Sequence, residues 1–481
     1  MTDPRTTAER LVRLFARETN LLVAGRSFSV EGTDAVATEL RLMLRALGAH
    51  LVERGDGGES GAEFVTFAPG QYPEVLVGGA PLTARTTAAQ RVDNAGSHMP
   101  VSTLIAARLR AEGIVRGIRI GIAMVLEPKT AQLALLLRDA GAEVAVYAHP
   151  DEIDVDVAEV LRARGIAVDG DPALRGAAER GAALAFLRRG FDLLLDDGSH
   201  LIRLAHEEGL AESLQGAAEE TTSGLAPLRL MQQHGLLRIP VIAVNDAAMK
   251  TSFDNRYGTG QSCVFAIADV LDAAGIGLRD QPAVVIGYGP VGEGVAAHLR
   301  ALGAEIAIAE TDPVRALAAE HDGLRSAPLA EIAPGSLVIS ATGSAHTITA
   351  DTLKTAKVVA VAGGVPGEID DSVLTPTGSA HLDRSEHGAL VIARGNCVNL
   401  AAVEGNPIEI MDLSFAVQLG AVEQLLATKP VRGLHPLSAE ADDAIARAAL
   451  AARGARIDTP SREQQAAQAE WRSRRYLGAS S

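Results

Sequence analysis

Three groups of residues in this 481-residue chain have the types and spacing to do chemistry. Gly287, Gly289 and Gly292 form GxGxxG directly behind the apolar run AVVI and at the head of VGEGVAAHLRALG. In such a pattern the first glycine makes a tight turn and the second admits a pyrophosphate against the backbone. The third lets helix and strand pack closely, and the helix N-terminus faces the phosphates. The following run, EIAIAE, ends in Glu310, 18 residues beyond Gly292. A carboxylate there binds ribose hydroxyls and repels a 2′-phosphate, so the spacing points to NAD rather than NADP. The second group is Lys250 and Asp254, four apart and on one face if their segment is helical. A lysine brought towards neutral pKa by burial, and tuned by carboxylates, suits removal of a hydroxyl proton as a hydride leaves. The same spacing is also that of a surface ion pair. The third group is Asp196 and Asp197, at the end of FDLLLDDGSH, with EETT downstream. These read either as active-site groups or as a capped turn and a threonine-capped helix start.

The elements that must position these groups are legible as alternating short apolar runs and amphipathic stretches. GIRIGIAMV, AEVAVYA and FDLLLDD read as strands, and TAQLALLLRDAG and DEIDVDVAEVLRARG as helices. That alternation predicts a parallel sheet with right-handed crossovers and ligands at the carboxyl ends of its strands. A second α/β unit begins at QPAVVIGYGPVGEG and continues through GSLVISATG and AKVVAVAGG. The expected fold is α/β: two doubly wound, Rossmann-like parallel-sheet domains, an extra N-terminal α/β segment and a C-terminal tail. The boundaries are 1–90 for the extension, 91–255 completed by 408–455 for the substrate-binding domain, 256–407 for the NAD domain and 456–481 for the tail. Within the extension, Thr6–Thr19 and ATELRLMLRALGAHLVERG read as helical, GDGGESGAE as a polar loop and PEVLVGG as a strand. No chemical motif is found there, and a small appendage or an oligomer contact is its simplest role.

Length alone suggests about three domains. A hydrophobic share of 47% with only 3% aromatic residues favours α/β layers built from small aliphatic side chains. The net charge of −16 argues against a nucleic-acid or anionic-membrane partner. Two cysteines make no disulfide framework, and no His/Cys/Asp spacing suggests a metal site. The N-terminal residues lack a signal-peptide run and no stretch reads as a membrane span, so a cytoplasmic protein is expected.

VNDAAMKTSFDNRYGTGQS, EETTSGLAPLRLM, DDGSH, GYGPVGEG with TDP after Glu310, and CVNLAAVEGNP together resemble the S-adenosylhomocysteine hydrolase family over about residues 98–478. The resemblance implies oxidation of a nucleoside 3′-hydroxyl by tightly bound NAD. The ketone acidifies the C4′ proton, elimination releases the group at C5′, water adds and the ketone is reduced. It implies Lys250 and Asp254 at the 3′-hydroxyl and C4′ proton, Glu220 on the ribose hydroxyls and Asp197 near C5′. Thr221, Thr222, Asn255, Glu310, Thr342 and Asn399 resemble cofactor contacts. Arg472 and Tyr476 resemble the tail residues that reach a neighbouring subunit's NAD, with Arg in place of the usual Lys, which implies a homodimer or homotetramer.

Besides Arg472, the sequence departs from that pattern at seven positions. Val125, Glu127 and Lys129 stand where a histidine, a threonine and a glutamate hold adenosine. Gly364 and Asn406 replace two further histidines, Thr259 a cysteine, and Arg315 an asparagine. A catalytic histidine contributes ~10²–10⁴-fold, so these losses weigh against ordinary hydrolysis unless His98 or His200 has taken over the role. Glu127 and Lys129 add charges that suit a different small nucleoside-type substrate. The expected function is therefore family-like 3′-oxidation with C5′ chemistry on a substrate other than S-adenosylhomocysteine. Two alternatives stand beside it: a faithful hydrolase with a rebuilt pocket, and a non-catalytic NAD-binding regulatory relative.

Overall fold

A computed structural model describes residues 3–53, 65–69, 73–85, 87–365, 367–370 and 373–472. Three sheets carry the described chain. The loop read in GDGGESGAE and the tail residue Tyr476 lie outside the described residues.

The second and third sheets explain where ligands can go. Seven parallel strands run in the order Gly433–Pro436, Pro240–Ala243, Gly216–Glu219, Leu193–Asp196, Arg119–Ala123, Glu143–Tyr147, Ala167–Asp169. Their order reverses between Leu193–Asp196 and Arg119–Ala123, which opens a crevice at those strand ends. Asp196 and Asp197 lie at one lip of it, and Val125 and Glu127 at the other. The third sheet runs Arg325–Ser326, Ile306–Ala309, Ala283–Ile286, Leu337–Ser340, Val358–Val361, Leu390–Ile392, Leu382–Ser385, Leu374–Pro376. Its first six strands are parallel and the last two join antiparallel. Its own reversal falls between Ala283–Ile286 and Leu337–Ser340, beside Gly287 and Thr342. The central strands of both sheets are buried on two faces, which is why they read as unbroken Val/Ile/Leu/Ala runs.

Two helices carry the chain between the sheets. Thr259–Ala273 leads into the third sheet, and Ile408–Thr428 returns to the second, where Gly433–Pro436 pairs with Pro240–Ala243. Ile408–Thr428 is 21 residues long and apolar enough to cross a bilayer by length and composition, a feature the sequence reading missed. It is instead largely buried in this fold, and its polar side chains explain why. Asp412 accepts from the backbone N–H groups of Val101 (3.0 Å) and Ser102 (2.7 Å), capping the helix Pro100–Glu112.

The N-terminal layer is a folded unit. Five strands, in the order His50–Leu51, Ser27–Val30, Val65–Ala68, Glu74–Val77, Ala80–Pro81, pack with helices Pro4–Thr19 and Ala35–Ala46. Phe15, Phe28 and Phe67 meet in its core, with ring centroids 5.2 to 6.5 Å apart. The layer docks on its own chain: Arg10 meets Asp272 at 2.5 Å, Arg13 reaches Asp269, and Asn20 accepts from the backbone of Ile408 at 2.9 Å. Two boundaries differ from the sequence reading. The second helical stretch stops at Ala46 because Gly48 turns with φ +82°, and His50–Leu51 is a strand. The stretch DEID is not helical; Leu126 and Ile153 form a bridge, Asp154 caps the helix Val155–Ala163, and Glu152 is left beside the crevice.

Candidate active site

The two crevices face each other across one cleft of about 1000 Å³. Lys250, Asp254, Asp197, Glu220, Gly287, Gly289, Glu310, Thr221, Thr222, Asn255, Thr342, Asn399, Glu127 and Lys129 all line it. Gly292 sits one layer below, where a Cβ would run into the Gly287 carbonyl oxygen. Arg472 lies outside the cleft, exposed and bound to Glu470 at 2.6 Å. The other seven positions that depart from the family pattern, Val125, Glu127, Lys129, Thr259, Arg315, Gly364 and Asn406, all line the cleft.

The cofactor side is made mostly of backbone. Gly287 turns with φ +91°, a conformation that L side chains rarely adopt, and a Cβ there would press on Thr342 and the Ala341 carbonyl. Gly289 begins the helix Pro290–Leu302, and a Cβ on it would meet only the Arg315 guanidinium, 3.5 Å away. The space over Gly289 and the helix N-terminus therefore suits a pyrophosphate. Glu310 is fixed by the backbone N–H groups of Tyr288 (2.6 Å), Thr311 (2.6 Å) and Asp312 (2.9 Å). Burial works against its charge, but those three donors and Arg315 outweigh it and hold the carboxyl below its ordinary value. An ionised Glu310 beside the glycine turn fits the ribose of NAD.

The opposite side is made of side chains. Lys250, on the short helix Ala248–Thr251, places Nζ 2.9 Å from Asp254 Oδ2 and 3.0 Å from the side-chain oxygens of Asn245 and Asn255. Asp254 opens a single wide helical turn, Asp254–Gly258, and this keeps the pair in contact. Lys250 and Asp254 are both buried, so they are no surface ion pair. Burial draws the Lys250 pKa down, yet Asp254, Glu220 and Asp197 together raise it above the ordinary value. The expectation of a lysine lowered towards neutrality is thus overturned: Lys250 is an ammonium in this cleft, because carboxylates surround it.

The carboxylates have unequal tasks. Glu219 turns inward and braces the DDGS turn, accepting from Gly198 N (2.9 Å), Ser199 N (2.8 Å) and the Thr221 backbone and hydroxyl. Glu220 faces the cleft, held by Gln418 (2.6 Å) and Ser414. Burial pushes Glu220 up to about 7, against the pull of Lys250. Burial also raises Asp197, and Asp196 to about 8. Sequence reasoning missed Asn245, Ser414, Gln418 and the bracing role of Glu219. For Glu219 the adjacent pair Glu219–Glu220 was a local signal, since consecutive residues at a strand end point to opposite sides.

Asn406 joins the two sides. Its amide nitrogen donates to Asp254 Oδ1 at 2.7 Å, and its oxygen accepts from Ser262 (2.7 Å) and Asn399 (2.9 Å). An amide with these partners orients Asp254 but cannot exchange a proton as an imidazole does. Of the two histidines that could stand in, His98 is occupied by the Asn94 carbonyl at 2.9 Å and lies off the cleft. His200 lines it, with Arg203 3.2 Å from Nδ1; arginine only donates, so Nδ1 accepts and the N–H is on Nε2. Glu127 and Lys129 pair with each other at 2.6 Å, and Glu127 also caps the helix Pro128–Asp139 through Lys129 N and Thr130 N. Among the described residues no His/Cys/Asp/Glu group could hold a metal.

Residues 255–405 match the family described as S-adenosyl-L-homocysteine hydrolase, NAD binding domain. The chain is 37% identical over 401 residues to an adenosylhomocysteinase of Archaeoglobus fulgidus, covering 80% of this chain and 98% of that protein. It is 35% identical over 410 residues to an adenosylhomocysteinase of Thermotoga maritima, covering 81% and 98%. It is also 37% identical over 405 residues to an S-inosyl-L-homocysteine hydrolase of Methanopyrus kandleri, covering 79% and 94%.

Proposed function

Because the chain belongs to the S-adenosyl-L-homocysteine hydrolase family and is an NAD-using enzyme of it, we propose that it oxidises a nucleoside 3′-hydroxyl to a transient ketone and exchanges a group at C5′, on a substrate other than S-adenosylhomocysteine. One observation carries this reading. Lys250, Asp254, Asn255, Glu220 and Asp197 face the same cleft as Val125, Glu127, Lys129, Thr259, Arg315, Gly364 and Asn406. The redox set is retained while the substrate wall is rebuilt. A non-catalytic relative has no need of three carboxylates raising one buried lysine.

NAD, when bound, supplies the hydride acceptor. Lys250, as an ammonium, turns one of the N–H groups it gives to Asn245, Asn255 and Asp254 towards the substrate oxygen and steadies the negative charge that develops there. The hydroxyl proton passes to a carboxylate, and Glu220, poised near neutral pH, suits that role. With a ketone at C3′ the C4′ proton becomes acidic, and Asp254, oriented by Asn406, serves as its acceptor. The C4′–H electrons form a C4′=C5′ bond as the C5′ substituent leaves with its bonding pair. A nucleophile then adds at C5′ and gives its proton to Asp197, Asp254 returns its proton to C4′, and the C3′ ketone takes back the hydride and a proton to regenerate the hydroxyl. The two relatives at 37% identity are named for different purines, adenosyl and S-inosyl, so overall likeness leaves the base open. A homo-oligomer in the cytoplasm is part of the same proposal.

A panel of purine and pyrimidine nucleosides and their 5′-thioethers, mixed with NAD-loaded protein, tests the reading through the absorbance of reduced nicotinamide. At least one nucleoside is expected to raise it in the wild type and none in Lys250→Ala. Silence across the panel would sink the proposal.

A further inference from the structure

The N-terminal layer, about which the sequence says least, reaches the cleft wall at Asn20. We infer that Asn20 is a positioning residue for the substrate pocket: it completes the coordination of Lys129 and so fixes the Glu127–Lys129 pair that faces the cleft. The inference rests on the reading of that cleft as the nucleoside site.

Lys129 is 1% exposed, so its ammonium must find all its partners inside the protein. It has three N–H groups to place. One goes to Glu127 Oε2 at 2.6 Å, one to the backbone carbonyl of Glu404, and the third to Asn20 Oδ1 at 3.4 Å. Glu127 is spent in turn: Oε2 takes Lys129 N and Nζ, and Oε1 takes the backbone N–H (3.1 Å) and hydroxyl (3.3 Å) of Thr130. The pair therefore presents a fixed, internally neutralised surface to the cleft. Asn20 supplies the one acceptor that comes from outside the two main domains.

The chain holds Asn20 with several independent constraints. Its φ of +53° ends the helix Pro4–Thr19, and its N–H closes on the Ala16 carbonyl at 2.9 Å. Its carbonyl accepts from Ile408 N at 2.9 Å, and Asn94 donates to the preceding carbonyl at 3.1 Å. One residue on, Gln261 bonds both Leu21 O (3.0 Å) and Val23 N (2.9 Å), and Glu409 takes Leu22 N at 3.0 Å. Glu404, the other outside partner of Lys129, is pinned by Arg91 at 3.0 Å, and Arg91 also holds Asp154 at 2.8 Å. The layer thus touches both connecting helices and ends on a cleft-lining ammonium. A mere appendage needs none of this.

A left-handed residue tolerates Gly and Asp, and this allows a clean test. Asn20→Gly removes the amide without backbone strain, while Asn20→Asp keeps an acceptor for Lys129. In NAD-loaded protein, calorimetric binding of the best nucleoside from the panel is measured alongside nucleoside-dependent reduction of the nicotinamide. Asn20→Gly is expected to weaken nucleoside binding and raise KM by about 5-fold or more. Its NAD affinity and kcat should stay close to wild type. Asn20→Asp is expected to restore most of the affinity. Asn20→Gly matching wild type in a protein that binds nucleosides would overturn the inference alone. Equal losses in Asn20→Gly and Asn20→Asp would overturn it too, as would a parallel fall in NAD affinity. A wild type that binds no nucleoside would overturn the reading of the cleft, and the inference with it.

Discussion

The two walls of the cleft are built from different materials. On the NAD side, ligand contacts come from a glycine turn, a helix N-terminus and one carboxylate clamped by three backbone N–H groups. On the substrate side they come from side chains that depend on one another: Lys250 on Asp254, Asp254 on Asn406, Glu220 on Ser414 and Gln418, Lys129 on Glu127 and Asn20. Backbone donors and a glycine turn survive the exchange of most neighbouring side chains, so the first wall keeps its ligand. A wall of interlocked side chains can be rewired by exchanging a few of them. Val125, Glu127, Lys129, Thr259 and Asn406 lie on that wall or at its junction, whereas Gly364 follows the third-sheet strand Val358–Val361 and Arg315 lies against the glycine turn.

Substitutions on each wall sharpen the contrast. The largest effect is expected from Lys250→Ala, which should cut turnover by roughly 10³-fold or more while bound NAD is retained; steady-state rates with nicotinamide content per subunit check this. Gly292→Ala should do the reverse. A methyl there collides with the Gly287 carbonyl, so NAD affinity should fall about 100-fold in a folded protein, read by titration calorimetry.

A smaller effect concerns pH. Glu220 sits at about 7, so if it takes the hydroxyl proton the oxidation half-reaction should quicken as pH rises through about 7. Glu220→Gln should flatten that profile as well as slow it; an unchanged profile would remove Glu220 from the role. The smallest effect is on stability. In the fold Asp196 and Glu152 hold protons up to about 8 and Glu220 to about 7, far above the ordinary carboxyl range. The native state therefore binds more protons than the unfolded chain between those limits. Their contribution is fully present below the ordinary carboxyl range and is lost as pH climbs through about 7 to 8. The thermal midpoint of NAD-free protein should drop by roughly 3 °C between pH 6 and 8.5, and by less in Asp196→Asn.

The same contrast explains what the sequence could convey. The glycine turn, Glu310 and the order of strands and helices were legible, because they follow from local spacing and apolar periodicity. Lys250 and Asp254 were legible as a pair, but the charge of Lys250 was not. It depends on Glu220 and Asp197, which arrive from two other strand ends. Glu127 and Lys129 were visible as new charges, while their mutual neutralisation and their link to Asn20 required the N-terminal layer in place. DEID looked helical by composition until a bridge from Leu126 took it. Ile408–Thr428 hid its length because Asp412, Ser414 and Gln418 interrupt its apolar run to serve other elements.

The measurement that bears most directly on a retained redox set behind a rebuilt substrate wall is thiol release from S-adenosylhomocysteine by NAD-loaded protein, with Lys250→Ala as control. Release is expected to be at least about 100-fold slower than turnover of the best nucleoside in the panel. Rapid release that disappears in Lys250→Ala would contradict a changed substrate and make this an ordinary hydrolase with a rebuilt pocket.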